Sequence, residues 1–297
     1  MELDYVHRSS QSDLSPVVDV IWTGPTSMIV GFSNGLIEII DVEERRLITS
    51  FHLDKALLGI CAAGQNKILI QAKYGSVSLH QFDVWKCLWT VSTKSASSFS
   101  RPAVYKDALA CVVSEGQSVL SLINIETGYV EKAFNVHDAL PGAKGMVVAI
   151  QSGNESDPFW ILTESGHLIS LSTTGSVLRS IQIAFPHVES VPTSLWVDRV
   201  DVFGIVGFST GQIDRTFPNR ERLFEIDGGV GSLCVCRQTH IIAGSWKGSL
   251  YTSGSKLEDQ PHFASIGKVA VDPLETRIAA GSSDGRVSLY FIDPVVF

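Results

Sequence analysis

The chain has 297 residues and a formal net charge of −8, with 44% hydrophobic and 18% charged residues, enough for one large all-β domain or two ordinary ones. The acidic balance argues against duplex nucleic acid as the main partner, because phosphate binding needs a concentrated basic surface and no Lys/Arg cluster exceeds Arg45-Arg46. No apolar run approaches the roughly 18 residues of a membrane helix, and residues 1–8 lack the basic-then-apolar order of a secretory signal, so no membrane association is expected and the cytosol or nucleus is the expected compartment.

Along the chain the apolar residues arrive in short, strand-sized bursts. Residues 2–7 come first, with Leu3, Tyr5 and Val6 beside Glu2, Asp4 and His7, roughly the alternation of an outer strand. A phrase then recurs seven times: an apolar run, a polar turn containing Gly, and a further run of alternating polarity. Its copies occupy residues 28–35, 68–75, 110–116, 160–166, 205–211, 242–248 and 278–285. The glycines that close them are Gly35, Gly75, Gly116, Gly166, Gly211, Gly248 and Gly285, spaced by 40, 41, 50, 45, 37 and 37 residues. A tight hairpin between twisted strands needs a positive φ near its end, which glycine adopts without strain.

Each phrase has an inner apolar run before it, at 17–22, 57–61, 145–150, 194–197, 230–236 and 267–271, with the weakest copy near 98–105. Outer runs follow, clearest at 45–51, 86–91, 129–134 and 177–183. Four strands in each of seven repeats predict an all-β chain, one seven-bladed β-propeller domain over residues 1–297, with no helix longer than a turn or two. The last repeat stops after its third strand, at 286–292, so residues 2–7 are expected to close the ring by pairing with it.

Several patterns imitate reaction chemistry. G-x-S-x-G, the nucleophile elbow of α/β-hydrolases, occurs around Ser33, Ser209 and Ser283, but an elbow joins a strand to a helix and these three lie between strand-like runs at one phase of the repeat. They are read as turns. The five cysteines are scattered, and the pair Cys234 and Cys236 has no second pair or histidine at zinc-finger spacing. The eight histidines show no metal-binding spacing, and no P-loop or dinucleotide glycine pattern is present. No catalytic, metal or cofactor residue is therefore assigned. Tyr74, Trp246 and Lys247 stand out as candidate protein-binding residues, because a large aromatic in a solvent-facing hairpin is unusual and suits an interface; the alternative is that each ring folds back onto its own blade. The polar segment 152–158, which lengthens the third spacing to 50, reads as a solvated loop.

The third strands end in Ile40-Asp41, Phe82-Asp83 and Ile292-Asp293, and in this the chain resembles the WD40 family, where Trp-Asp is usual. The Trp is missing, as is the Gly-His that opens a WD40 repeat, although His52, His137 and His262 fall in the connections where it would stand. Residues 34–51 and 278–293 are further similar to the G-protein β-subunit-like proteins of the ASTRA-associated group. That resemblance implies a chaperone-linked adaptor that helps large phosphatidylinositol-3-kinase-related kinases mature or assemble. The expected function is a non-catalytic scaffold in a multi-subunit complex. Two other readings stay open: a propeller hydrolase with its site at the channel mouth, and a module that reads basic peptides such as histone tails.

Overall fold

The computed structural model describes residues 2–9, 15–73, 75–94, 100–183, 185, 189–198, 203–217, 219–257 and 264–292. After β1 (Glu2–Arg8) the first blade is β2 (Val17–Trp22), β3 (Ser27–Phe32), β4 (Leu36–Asp41) and β5 (Arg46–His52). The second is β6 (Leu57–Ala62), β7 (Lys67–Ala72), β8 (Ser76–Gln81) and β9 (Lys86–Ser92). The third is β10 (Ala103–Tyr105), β11 (Leu109–Glu115), β12 (Val119–Asn124) and β13 (Val130–Asn135), followed by the single helical turn α1 (Val136–Ala139). The fourth is β14 (Val147–Ser152), β15 (Phe159–Thr163), β16 (His167–Leu171) and β17 (Val177–Gln182). The fifth is β18 (Pro192–Val197), β19 (Gly204–Phe208), β20 (Gln212–Phe217) and β21 (Glu221–Glu225). The sixth is β22 (Val230–Cys236), β23 (His240–Ser245), β24 (Leu250–Thr252) and β25 (Ser255–Lys256), and the seventh has β26 (Ile266–Val271), β27 (Arg277–Ser282) and β28 (Arg286–Phe291).

Within each sheet the strands lie in chain order, and in the seventh β1 takes the fourth place, giving β1-β28-β27-β26. Seven such four-stranded sheets in series are the plan of a seven-bladed β-propeller, which is the fold class of this chain. The N-terminal strand thus sits where the strand inventory puts it, antiparallel to β28.

The burial follows from the pattern of residue types. Second and third strands such as β3 and β4 are buried along almost their whole length, because both faces of a blade meet apolar side chains. Outer strands such as β5 and β9 mix exposed and half-buried positions. The chain forms two compact units, one of residues 1–57, 206–214 and 221–297, the other of residues 58–205 and 215–220. In the first unit, one core joins Val20, Met28, Phe32 and Ile40 of the first blade to Ala279, Val287 and Leu289 of the seventh. Another joins Cys236, Ile242 and Leu250 of the sixth to Ile266, Ile278 and Tyr290 of the seventh. In the second unit, Leu69 and Leu79 pack on Val112 and Ile123, and Val113 and Leu122 on Phe159 and Ile161. Within each unit these blades are therefore joined by apolar packing.

All seven predicted turn glycines adopt positive φ, from 54° to 98°. Gly35 shows why: at φ 93° a Cβ would also run into the backbone carbonyls of Lys55 and Leu53. The third blade departs from the expected phase. There Gly116 begins the turn instead of closing it, β12 starts only at Val119, and a Cβ at Gly116 would meet nothing within 4 Å. The sixth blade is also shortened, because Ser253 (φ 44°) and Gly254 (φ 90°) turn the chain back after three residues of β24.

Candidate interaction site

Two chain segments build the sixth-blade hairpin tip: the turn Ser245-Trp246-Lys247-Gly248 between β23 and β24, and the stretch Asp227-Gly228-Gly229 leading into β22. Ser245 organises the turn. Its hydroxyl donates to the Asp227 carbonyl oxygen at 2.5 Å and accepts from the Lys247 amide at 3.0 Å, a serine turn that ties the tip to the stretch beneath it. Gly248, at φ 82°, closes the turn by donating its amide to the Ser245 carbonyl at 3.0 Å. The Trp246 amide donates to the Gly229 carbonyl at 2.8 Å, and the Asp227 amide to the phenol oxygen of buried Tyr251 at 3.2 Å.

The two glycines are what let the segments pass so closely. A Cβ on Gly229 would collide with the six-membered ring of Trp246, and one on Gly228 would lie 2.9 Å from the Lys247 Cγ. The indole thus folds back onto its own blade, and Trp246 as a residue still keeps 48% of its surface exposed. Beside it the Lys247 ammonium meets the Asp227 carboxylate at 2.5 Å, with both side chains mostly in water. The hydrogen bond and charge of Asp227 raise the Lys247 pKa, but so exposed a pair contributes little to stability. Its consequence is local: the charge beside the indole is neutralised within the protein. The tip offers a fixed aromatic surface rimmed by a self-paired ion pair.

Beside the candidates Trp246 and Lys247 the structure places Asp227, Gly228 and Gly229, whose Asp-Gly-Gly run is a turn signal not singled out above. Tyr74, the third candidate, lies outside the described residues, as do Asp293 and His262. Segment 152–158 is more than a solvated loop. Asn154 accepts from the amides of Ser156 and Asp157, and the Asp157 carboxylate is fully buried, accepting from Ser170 and facing the Arg179 guanidinium at 3.3 Å.

The serines of the three G-x-S-x-G patterns all lie in turns between strands: Ser33 between β3 and β4, Ser209 between β19 and β20, Ser283 between β27 and β28. The Ser33 and Ser283 amides donate to the carbonyls of Pro16 and Ser265 at 2.9 and 2.8 Å, anchoring each turn to the entry of its own blade. Serine–histidine contacts occur elsewhere, at Ser165–His167 (3.1 Å) and Ser78–His80 (3.0 Å), and burial lowers the pKa of both histidines. The Ser165 hydroxyl already accepts from the Lys144 amide at 2.8 Å.

All five cysteines are free; Cys111 and Cys236 are buried, while Cys87 on β9 is exposed. Burial pushes the thiols of Cys111 and Cys234 up strongly and that of Cys236 to about 11, which leaves them protonated at neutral pH. Among the described residues, no group of three or more His, Cys, Asp or Glu is placed to hold a metal ion. No protein-family model matches the chain, and no curated protein matches its sequence.

Proposed function

We propose that this chain is a non-catalytic protein-interaction scaffold, and that the sixth-blade tip, with Trp246 at its centre, is one of its docking points. The observation that carries the reading is a half-exposed indole held against Gly229, on a backbone tied by hydrogen bonds to a single neighbouring stretch. Rigid, partly exposed tryptophans suit the anchor role, since they bring a large contact area at small loss of side-chain freedom.

The WD40-like ends of the third strands and the similarity of residues 34–51 and 278–293 to the ASTRA-associated group support a more specific form. In that form the chain is an adaptor in the cytosol or nucleus that joins chaperone-linked components to large phosphatidylinositol-3-kinase-related kinases. The test is affinity purification of the full chain with identification of reproducible partners. Recovery of such kinases or chaperone components supports the adaptor. Reproducible partners of other classes would leave the scaffold and overturn the adaptor, and hydrolase activity without stable partners would overturn both.

A further inference from the structure

The seam between β1 and β28 reads side chains as well as backbone. Glu2 pairs with Phe291 and Leu3 with Tyr290, then the register shifts, and Tyr5 to Arg8 pair with Leu289 to Arg286. Asp4 is the extra residue of this bulge. In an unbroken strand Leu3 and Tyr5 would share a face, and the inserted residue sends them to different sides. Leu3 packs with the core between the sixth and seventh blades, and Tyr5 with the core between the seventh and first.

The bulge also sets Asp4, whose side chain is nearly buried, on the Arg45 guanidinium in the turn between β4 and β5. Two residues on from Tyr5, buried His7 places its Nε2 2.6 Å from the Glu38 carboxylate, which is fully buried on β4. Burial pushes the Tyr5 phenol up, and the charges of Arg45 and Glu38 act on it in opposite directions. Where outer strands β5 and β9 leave most of their side chains in water, β1 leaves only its ends fully exposed. An edge that needed only backbone pairing would not require Asp4, Tyr5 and His7 to find Arg45, an apolar pocket and Glu38.

We propose that the β28 edge, with Glu38 and Arg45 of the first blade, is a sequence-reading acceptor for an extended segment of the form Leu-Asp-Tyr-Val-His, and that a second copy of this chain supplies that segment in exchange for the chain's own β1. Strand and acceptor lie nearly a whole chain apart in sequence, and none of the contacts within the seam distinguishes a chain's own β1 from that of another copy. Breaking the His7–Glu38 contact removes the buried polar part of this address and speeds the exchange.

Cross-linking of full-length chains tests this, with exposed Cys87→Ser in every chain to remove the native exposed thiol. One chain carries Glu2→Cys and the other Phe291→Cys, residues directly opposite in the register. The two are mixed, held below the melting temperature and oxidised. The expected result is a covalent heterodimer that accumulates with time, forms several-fold faster when both chains also carry Glu38→Gln, and is suppressed by an excess of a synthetic peptide of residues 2–8. A chain with Glu131→Cys in place of Glu2→Cys, exposed on β13 and not part of the β1–β28 register, measures random collision. The proposal is overturned if the register pair gives no more heterodimer than this control, while a single chain carrying both cysteines closes its own disulfide.

Discussion

The hairpin tips of the first and sixth blades are built on the same backbone device and display opposite surfaces. At the first, Ser33 donates to the Pro16 carbonyl, Gly35 donates to Phe32 at 3.0 Å, and the Asn34 side chain accepts from the Leu36 amide at 3.1 Å. At the sixth, Trp246 donates to Gly229 and Gly248 to Ser245. One tip shows small polar groups and the other a half-exposed indole. The scaffolding is common to the repeat, so it speaks to stability, and the displayed side chains, which differ from blade to blade, speak to partners.

The largest effect that would separate these roles is at the shared backbone. Gly35→Val combines a φ of 93° with a Cβ driven into two backbone carbonyls, neither of which can rotate away. It should cost about 3 kcal/mol or more, which for a chain of this size is a drop of roughly 6 °C or more in melting temperature. Gly116→Val, at φ 54° with open space around it, should cost clearly less. Equal melting temperatures for the two variants would break the argument that the tip backbone is over-determined by its neighbours.

A smaller effect is expected under the indole. Gly229→Ala leaves the turn Ser245 to Gly248 unchanged in sequence but places a methyl group where the Trp246 ring lies. The ring must move off its support, so partner binding should fall about tenfold, or about 1.4 kcal/mol, with a modest change in melting temperature. Unchanged binding would mean that the ring's fixed position does not matter. The smallest effect is predicted for the decoys: Ser33→Ala, Ser209→Ala and Ser283→Ala together should leave both binding and melting nearly unchanged. Labelling of any of these serines by a fluorophosphonate would contradict it.

These contrasts track what was legible in the sequence. The seven glycines were, because a positive φ is a local demand and each position satisfies it. The seventh blade's missing strand was legible from counting, since one sheet lacked a fourth member and residues 2–7 had the right alternation. The short β24 and β25 were hidden because Ser253-Gly254 turns the chain earlier than the repeat period implies. The support beneath Trp246 was hidden for a different reason. Asp227 to Gly229 belong to the run into the blade, Ser245 to Gly248 to a later turn, and only folding brings them together. His7 and Glu38 are likewise 31 positions apart, with nothing in either segment announcing the other. Periodicity reveals a repeat architecture, whereas the contacts that set one blade apart from the others are between segments.

The most direct test of the central claim compares purified wild-type chain with Trp246→Ala in thermal melting and in quantitative capture of the partners recovered with the full chain. The half-exposed ring contributes little to the core, so the account predicts melting temperatures within about 2 °C. It also predicts at least about a tenfold loss of affinity for one or more partners. Identical capture of every partner by the two proteins, at equal stability, would contradict it.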